Sequence, residues 1–429
     1  METEKLIEII GSCEVDAEKR LSALAELKKK VDLGEINAPP RGIFVNNHIH
    51  TSYSFSPYTP TSAVFNAWKA GLSTAGIMDH DSVAGIREFI RAGEIMDMPV
   101  TCGFECRVNV EGTSLVGKRI NNPDQLSCAY VAMHGIPHQN IDRAEEILAP
   151  LREKRNARNR KMCEKINDIV CDAGIKLDFD ADVYPLSMAR NGGSVTERHI
   201  CYALTKKIIS LYPDREKACG FIEKITGAKM SESTREKLLS APENYYDFDI
   251  LGVLKGHLVG SFYVQATDEC MNIKDFTALA KEFGAISAYA YLGDVDKSPT
   301  GDKKAQKFED SYIDELFEVL VKSGFSAVTY MPTRNTQEQL SRIIKLCRKY
   351  GLFEISGEDI NSPRQSFICK ALENPMYSHL REATYALIGH EKEASVDVSR
   401  SMFSDETKAS YPALSERVKL YAALGGYKE

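Results

Sequence analysis

Along this chain the hydrophobic positions switch between two periods. Short apolar or every-second-residue runs at 42–50, 73–79, 99–108, 127–134, 285–291, 326–331 and 353–357 predict strands. Stripes recurring at helical spacing predict helices at 61–71, 83–97, 271–283, 309–323 and 335–350. The last helix carries its own boundaries: Asn335 as N-cap with Glu338 three residues on, a stripe of Leu340, Ile343, Ile344 and Cys347, and Gly351 as the stop. Strand–helix alternation of this kind predicts a parallel sheet with helices outside it. Seven strands suit a slightly irregular barrel better than an open sheet, and the open rival has no GxGxxG or Walker-type phosphate loop to accompany it.

The pattern breaks between His134 and Ala285. Residues 142–173 read as one long helix and 196–248 as further helices, while 5–31 read as helix ahead of a turn at 37–41. The expected domains are an N-terminal helical extension at 1–40, a barrel built from 41–139 and 271–364, a mainly helical insertion at 140–270, and a helical C-terminal tail at 365–429.

Chemistry-bearing residues fall where the apolar runs end. His48 and His50 close the first run, Asp79, His80 and Asp81 the second, and His134 the fourth; Glu105 lies in the third and Asp359 follows the seventh. Side chains alternate along a strand, so His48 and His50 face the same way. Two imidazoles backed by carboxylates from other strands can hold a divalent metal that activates water. The C-terminal strand ends are where a (β/α) barrel assembles its active site. Glu105 and Asp359 follow apolar runs where an unpaired carboxylate is costly, which favours a cation partner. Asp79 or Asp81 is placed to orient His80.

Composition narrows the classes. With 43% apolar and 27% charged residues the chain is an ordinary globular protein, and a net charge of -7 argues against a general nucleic-acid or membrane-surface binder. No run of about 18 apolar residues predicts a transmembrane helix, and the charged N-terminus lacks a signal-peptide core, so the cytoplasm is the expected location. The eleven cysteines form no CxxC pair and read as buried free thiols, with Cys106 a distant candidate for a pocket wall. Arg152 to Lys161 carries six positive charges against one negative. Such a run can attract an anion, but on a long helix it reads first as a solvated face, with Arg158 as the exception. His138, His257, His379 and His390 read as structural or surface residues, and Trp68 as core.

The segments HIHTSYS, AGIMDHDSVAG, PVTCGFE, LREKRNARNRKMCEKI, TERHICYAL and KYGLFEISGEDINSP resemble the PHP (polymerase and histidinol phosphatase) family, over about Gly42 to Pro363. They are most similar to PHP phosphatases with a helical insertion after the fourth strand. The resemblance implies a distorted (β/α)7 TIM-like barrel and a metal-dependent phosphoesterase acting on a small phosphorylated substrate. By position it places His48, His50, Glu105 and Asp359 in a first metal site, His80 in a second, and His134 in a third that Glu105 can bridge. His199 matches the family's histidine near the substrate, suited to phosphate contact or proton donation, and Arg198 is a shifted match to its arginine.

Three positions depart from the family pattern. Phe55 stands where Asp or His is usual and cannot ligate. Tyr291 replaces a histidine and can serve as a phenolate ligand or hydrogen-bond a phosphate oxygen. Asn361 also replaces a histidine, a poor exchange for zinc though its carbonyl suits harder ions. The expectation is therefore one or two divalent metals, zinc, manganese or iron, with magnesium admissible. Asp79, His199 and Arg198 are the catalytic candidates, and Tyr291, Asn361 and Arg158 the substrate-binding ones. Neither nucleic acid nor membrane is expected as a main partner. Two other classes stay open: a binding or regulatory protein of PHP fold with a degraded cluster, and a metallohydrolase of a non-phosphate bond.

Overall fold

All seven expected strands form in the computed structural model, which describes residues 2–295 and 307–428. They are β1 (Val45–Ile49), β2 (Thr74–His80), β3 (Val100–Asn109), β4 (Cys128–His134), β6 (Ile286–Ala290), β7 (Ala327–Tyr330) and β8 (Phe353–Ser356), and an unexpected two-residue β5 (Met271–Asn272) joins them. The sheet runs β1-β2-β3-β4-β6-β7-β8, with β5 attached to β3. Its two edges nearly meet. Ile49 bridges Ile360, the His50 N–H donates to Ile360 O at 3.0 Å, and the Ile360 N–H donates to His48 O at 3.2 Å. The side-chain amides of Asn46 and Asn47 add bonds to Glu358 O (3.1 Å) and Ser356 O (2.8 Å). The result is a nearly closed, distorted (β/α)7 TIM-like barrel of the PHP type.

One strand breaks the expected parallel order. β4 runs antiparallel to both β3 and β6. A parallel neighbour needs a crossover, usually a helix, and the 110–127 connection from β3 to β4 contains none, so the chain returns in the opposite direction. This reversal matters for the site, because the C-terminal end of β4 points away from the C-terminal ends of the other strands.

Several boundaries are set by local chemistry. The N-terminal stretch is two helices, Thr3–Gly11 and Ala17–Asp32, because Asp16 interrupts it as an N-cap accepting the Lys19 N–H. The Gln337–Tyr350 helix starts at Thr336, which forms a capping box with Gln339; the expected Asn335 cap donates to Leu292 O instead. Its stop is as expected, at Gly351 with φ +66°.

Three hydrophobic clusters organise the packing. The largest joins the outer face of the sheet to its helices and includes Trp68. A second lies among the helices between Ile141 and Phe262 and takes in Phe55 from the loop after β1. The third fills the barrel interior with Met78, Ala132, Ile286, Ala288 and Ile355, against Ala383 and Leu387 of the His379–Val396 helix. No described helix is long and apolar enough to cross a membrane.

Candidate metal centre and pocket

β1 delivers His48 and His50 with a local irregularity. Its pairing with β2 shifts register between Asn46 and Ile49, and the Asn46 side-chain oxygen accepts the His48 and Glu358 N–H groups there. Gly357 lets this happen, since a Cβ at that position would lie 2.5 Å from His48 Cβ. The two rings sit edge to face at 5.0 Å. β2 and β3 are in register with His80 beside Glu105, so their side chains arrive at one level.

The donor atoms converge as two overlapping groups that share His50. His48, His50 and Asp359 form one, and His50, His80 and Glu105 the other, each with ligand atoms within 4.8 Å of one another. His50 Nε2 lies 3.1 Å from Asp359 Oδ1, and His80 Nδ1 lies 3.0 Å from Glu105 Oε2. Glu105 thus faces His80 rather than completing a set with His48 and Asp359. Asn361 donates its side-chain N–H to Asp359, a contact that orients the acid.

The charge states suit a cation. Burial pushes the His48 imidazole below its ordinary range, and burial with the neighbouring His50 charge holds His80 well below it, leaving neutral rings with free lone pairs. Burial raises Glu105. It would raise Asp359 too, but the His50 hydrogen bond and the charges of His50 and Arg198 outweigh it and hold that carboxyl well below the carboxylate range.

Asp79 plays a different part from the one expected. Its oxygens accept the Thr51 N–H (2.6 Å), the Thr51 hydroxyl (2.6 Å) and the Ser54 hydroxyl (2.7 Å). Ser54 Oγ in turn lies 3.2 Å from His50 Nδ1. Because the Ser54 proton points at Asp79, the serine oxygen accepts from His50 Nδ1–H, which leaves Nε2 to face Asp359. Asp79 therefore braces the loop after β1 and fixes His50, not His80, and it does not reach the pocket. Asp81, at φ +49°, accepts from Arg155 rather than orienting His80.

Four other sequence candidates stand elsewhere. His134 lies two residues deeper than Glu105, opposite Gly103, because β4 is antiparallel; it joins neither ligand group. Its ring is buried with neither nitrogen hydrogen-bonded among the described residues, and burial pushes its pKa down to about 3. His199 caps its own helix: its Nδ1 accepts the Thr196 N–H at 3.0 Å, and its ring packs edge to face on Phe55 at 4.9 Å. Phe55, held at φ 105°, thereby pins the loop after β1 to the helical cluster. Tyr291 lines the pocket, but its hydroxyl donates to Asp310 at 2.6 Å and burial raises its pKa, which removes the phenolate ligand reading. Cys106 directly follows Glu105, so it takes the opposite strand face and joins the outer core.

The basic run divides between two faces, with Lys154, Arg160 and Lys161 exposed as expected and the other three cations turned inward. Arg152, Arg155 and Arg158 are all buried. Arg158 pairs with Glu197 (2.8 Å) and Glu269 (2.9 Å) and does not line the pocket. Arg155 does line it, held by Asp81 and by Glu197 at 3.1 Å. Arg107 of β3 closes the network on Glu197 (3.3 Å) and Glu269 (3.5 Å). Three arginines against three acids keep the cluster neutral, which is what burial requires. Helical spacing was the available signal: 152, 155, 159, 162 and 166 continue one stripe into Met162 and Ile166, so arginines on it turn inward.

A pocket of about 280 Å³ opens over the donor groups. His48, His80, Glu105 and Asp359 form its floor, and Arg155, Arg198, Lys255 and Tyr130 are among its walls. Arg198 also approaches Asn361 O at 3.5 Å. Sequence reasoning missed Arg155, Lys255 and Tyr130.

No protein-family profile matches the chain. A 5'-3' exoribonuclease from Haemophilus influenzae is 25% identical over 152 residues, 35% of this chain and 47% of that protein, so the match spans about half the length of that relative. Two solved structures share the fold. One is a candidate metal-dependent phosphoesterase from Bifidobacterium adolescentis (18% identity, 79% of this chain and 96% of that one, TM-score 0.50). The other is an amidohydrolase from Chromobacterium violaceum with sulfate and no metal (16%, 79% and 96%, TM-score 0.51). At these identities the likeness is one of fold, a barrel of PHP and TIM-like type.

Proposed function

We propose that the chain is a metal-dependent phosphoesterase that hydrolyses a small phosphorylated metabolite. The observation that carries this reading is the juxtaposition of two buried histidine–carboxylate groups with a pocket walled by Arg155, Arg198 and Lys255. Imidazoles and carboxylates at one level fit one or two divalent ions, with His48, His50 and Asp359 holding one and His80 and Glu105 contributing to a neighbour; the single Nε2 lone pair of His50 serves one ion only. A cation bound there supplies Lewis acidity and an activated water. The chain's own residues do the rest. Asp79 and Ser54 hold the His50 tautomer, Asn361 aims Asp359, and Arg155 and Arg198 meet the charge of phosphoryl oxygens. Arg198 and Lys255 on the walls, beside Asp124 and Glu197, favour a phosphate ester over a neutral amide or lactone.

In this reading 140–270 is an insertion that supplies the substrate side of the pocket, and 1–40 and 365–429 are flanking helical units. The pocket lies just below the size of typical small-ligand sites (~300–1,000 Å³). A second reading comes from the exoribonuclease relative: the phosphate met by Arg155 and Arg198 belongs to the end of an RNA strand. Hydrolysis of phosphomonoesters, nucleotides, a 5'-phosphorylated oligoribonucleotide and amides, with and without chelator, separates these. Chelator-sensitive release of phosphate or nucleotide is expected, with metal and turnover lost together in His48→Ala. Unchanged metal and turnover in that variant would overturn the assignment, and amide hydrolysis alone would replace it with an amidase.

A further inference from the structure

A second group of metal-type side chains lies on the barrel, away from the pocket. Cys102 of β3, His138 of the short 138–140 helix and Glu391 of the His379–Val396 helix each offer a ligand atom within 4.8 Å of the others. Three separate elements meet there, and none of the three residues lines the pocket.

The arrangement of Glu391 is the informative part. Glu391 is 3% exposed, and one carboxylate oxygen, Oε2, is pinned by the Cys102 N–H (2.7 Å) and the Thr101 hydroxyl (2.8 Å). The other oxygen, Oε1, is turned to His138 Nε2 at 3.0 Å. Protein donors thus hold one carboxylate oxygen while the second faces an imidazole, with the Cys102 sulfur within 4.8 Å of the group, which is how the outer hydrogen bonds of a metal-ligating carboxylate are arranged. The His138 backbone is itself positioned by its main-chain N–H, which donates to Ser395 Oγ at 3.0 Å. Its side chain is 42% exposed, so solvent reaches the group from one side and can supply a fourth ligand.

We propose that Cys102, His138 and Glu391 form a structural divalent-metal site of zinc type that ties the His379–Val396 helix to β3. Sulfur, nitrogen and oxygen donors in one set select a borderline-soft ion over magnesium or calcium. On binding, the Cys102 S–H bond breaks and the thiolate donates its pair to the ion. Its proton leaves to solvent, and the His138 Nε2 proton moves to Nδ1 or to solvent, so one or two protons are released per ion. The site does not depend on the hydrolase reading.

Cobalt(II) is the direct probe, since only a thiolate ligand gives a sulfur-to-cobalt charge-transfer band in the near ultraviolet. The full-length protein titrated with cobalt(II) should show this band; His48→Ala should keep it and Cys102→Ser should lack it. Zinc content should fall by one equivalent per chain in both Cys102→Ser and His138→Gln. The exposed His138 tolerates substitution, which keeps the test open if Cys102→Ser fails to fold. Hydrolysis by His138→Gln should match wild type. No thiolate band in the wild type, or equal zinc content in wild type and His138→Gln, would sink the proposal.

Discussion

At the scale of single residues, the centre depends on groups that never touch the pocket. The Asp79–Ser54–His50 relay is the clearest case, because a buried carboxylate with three donors sets which nitrogen of His50 is left to face Asp359. Removing the middle of the relay should loosen the ring without emptying the site. Ser54→Ala is expected to weaken metal affinity roughly 10–100-fold, the usual cost of losing an outer hydrogen bond, while the fold survives. Isothermal titration with zinc or manganese reads this out, and an unchanged affinity would return Asp79 to a purely structural role. The convergence of five of the six metal candidates was legible in the sequence because strand alternation and the ends of apolar runs fix where such side chains point. His134 was not, since nothing in its own run reveals that β4 is reversed. His199 read as catalytic because a motif gives residue type and spacing, whereas its third place in a helix makes it a cap.

At the scale of elements, two helices have consequences the hydrophobic pattern only partly showed. In Ile141–Val170 the phase of the stripe, not the count of charges, decides that Arg152, Arg155 and Arg158 face inward. The run looked solvated because charge is usually excluded from cores, and the acids that make burial tolerable, Asp81, Glu197 and Glu269, are distant in sequence. The His379–Val396 helix meets Leu414–Gly425 so closely that a Cβ on Gly389 would lie 1.9 Å from Tyr421 O, and one on Gly425 1.9 Å from Tyr385 O. In an open helix Gly→Ala gains about 1 kcal/mol. Here the backbone clash outweighs that gain, and Gly389→Ala is expected to destabilise by roughly 1–3 kcal/mol. A lower midpoint in urea with an unchanged slope is the expected result, and a higher midpoint would mean the helices can separate at little cost.

At the scale of the whole molecule, buried neutral histidines set the acid limit of stability. Burial pushes His390 down to about 4, where its Nδ1 accepts the Met402 N–H and its Nε2 bonds to Gly135 O. Burial and the Arg155 charge take His199 to about 3. Both pKa values are depressed below that of the unfolded chain, so stability is full above pH ~6.5 and is lost as pH falls toward 4 and then 3. For His390 alone the loss is on the order of 3 kcal/mol once complete. Glu309 runs the other way: burial raises it to about 7, so its contribution is lost as pH rises through 7. Chemical denaturation between pH 4 and 7 should show a falling stability on the acid side that is shallower in His390→Gln.

The seam between β1 and β8 bears on how the protein is made. Asn46 and Asn47 reach Glu358 and Ser356 across 312 and 309 residues of chain. The histidine half of the centre therefore leaves the ribosome long before Asp359 does. At ~5–20 residues per second that wait is about 15–60 s. Throughout it, His48 and His50 have no carboxylate partner from β8 and no closed barrel behind them. Filling of the His48–His50–Asp359 group thus waits until the chain has passed residue 359, and a nascent chain arrested before that point should lack this ion.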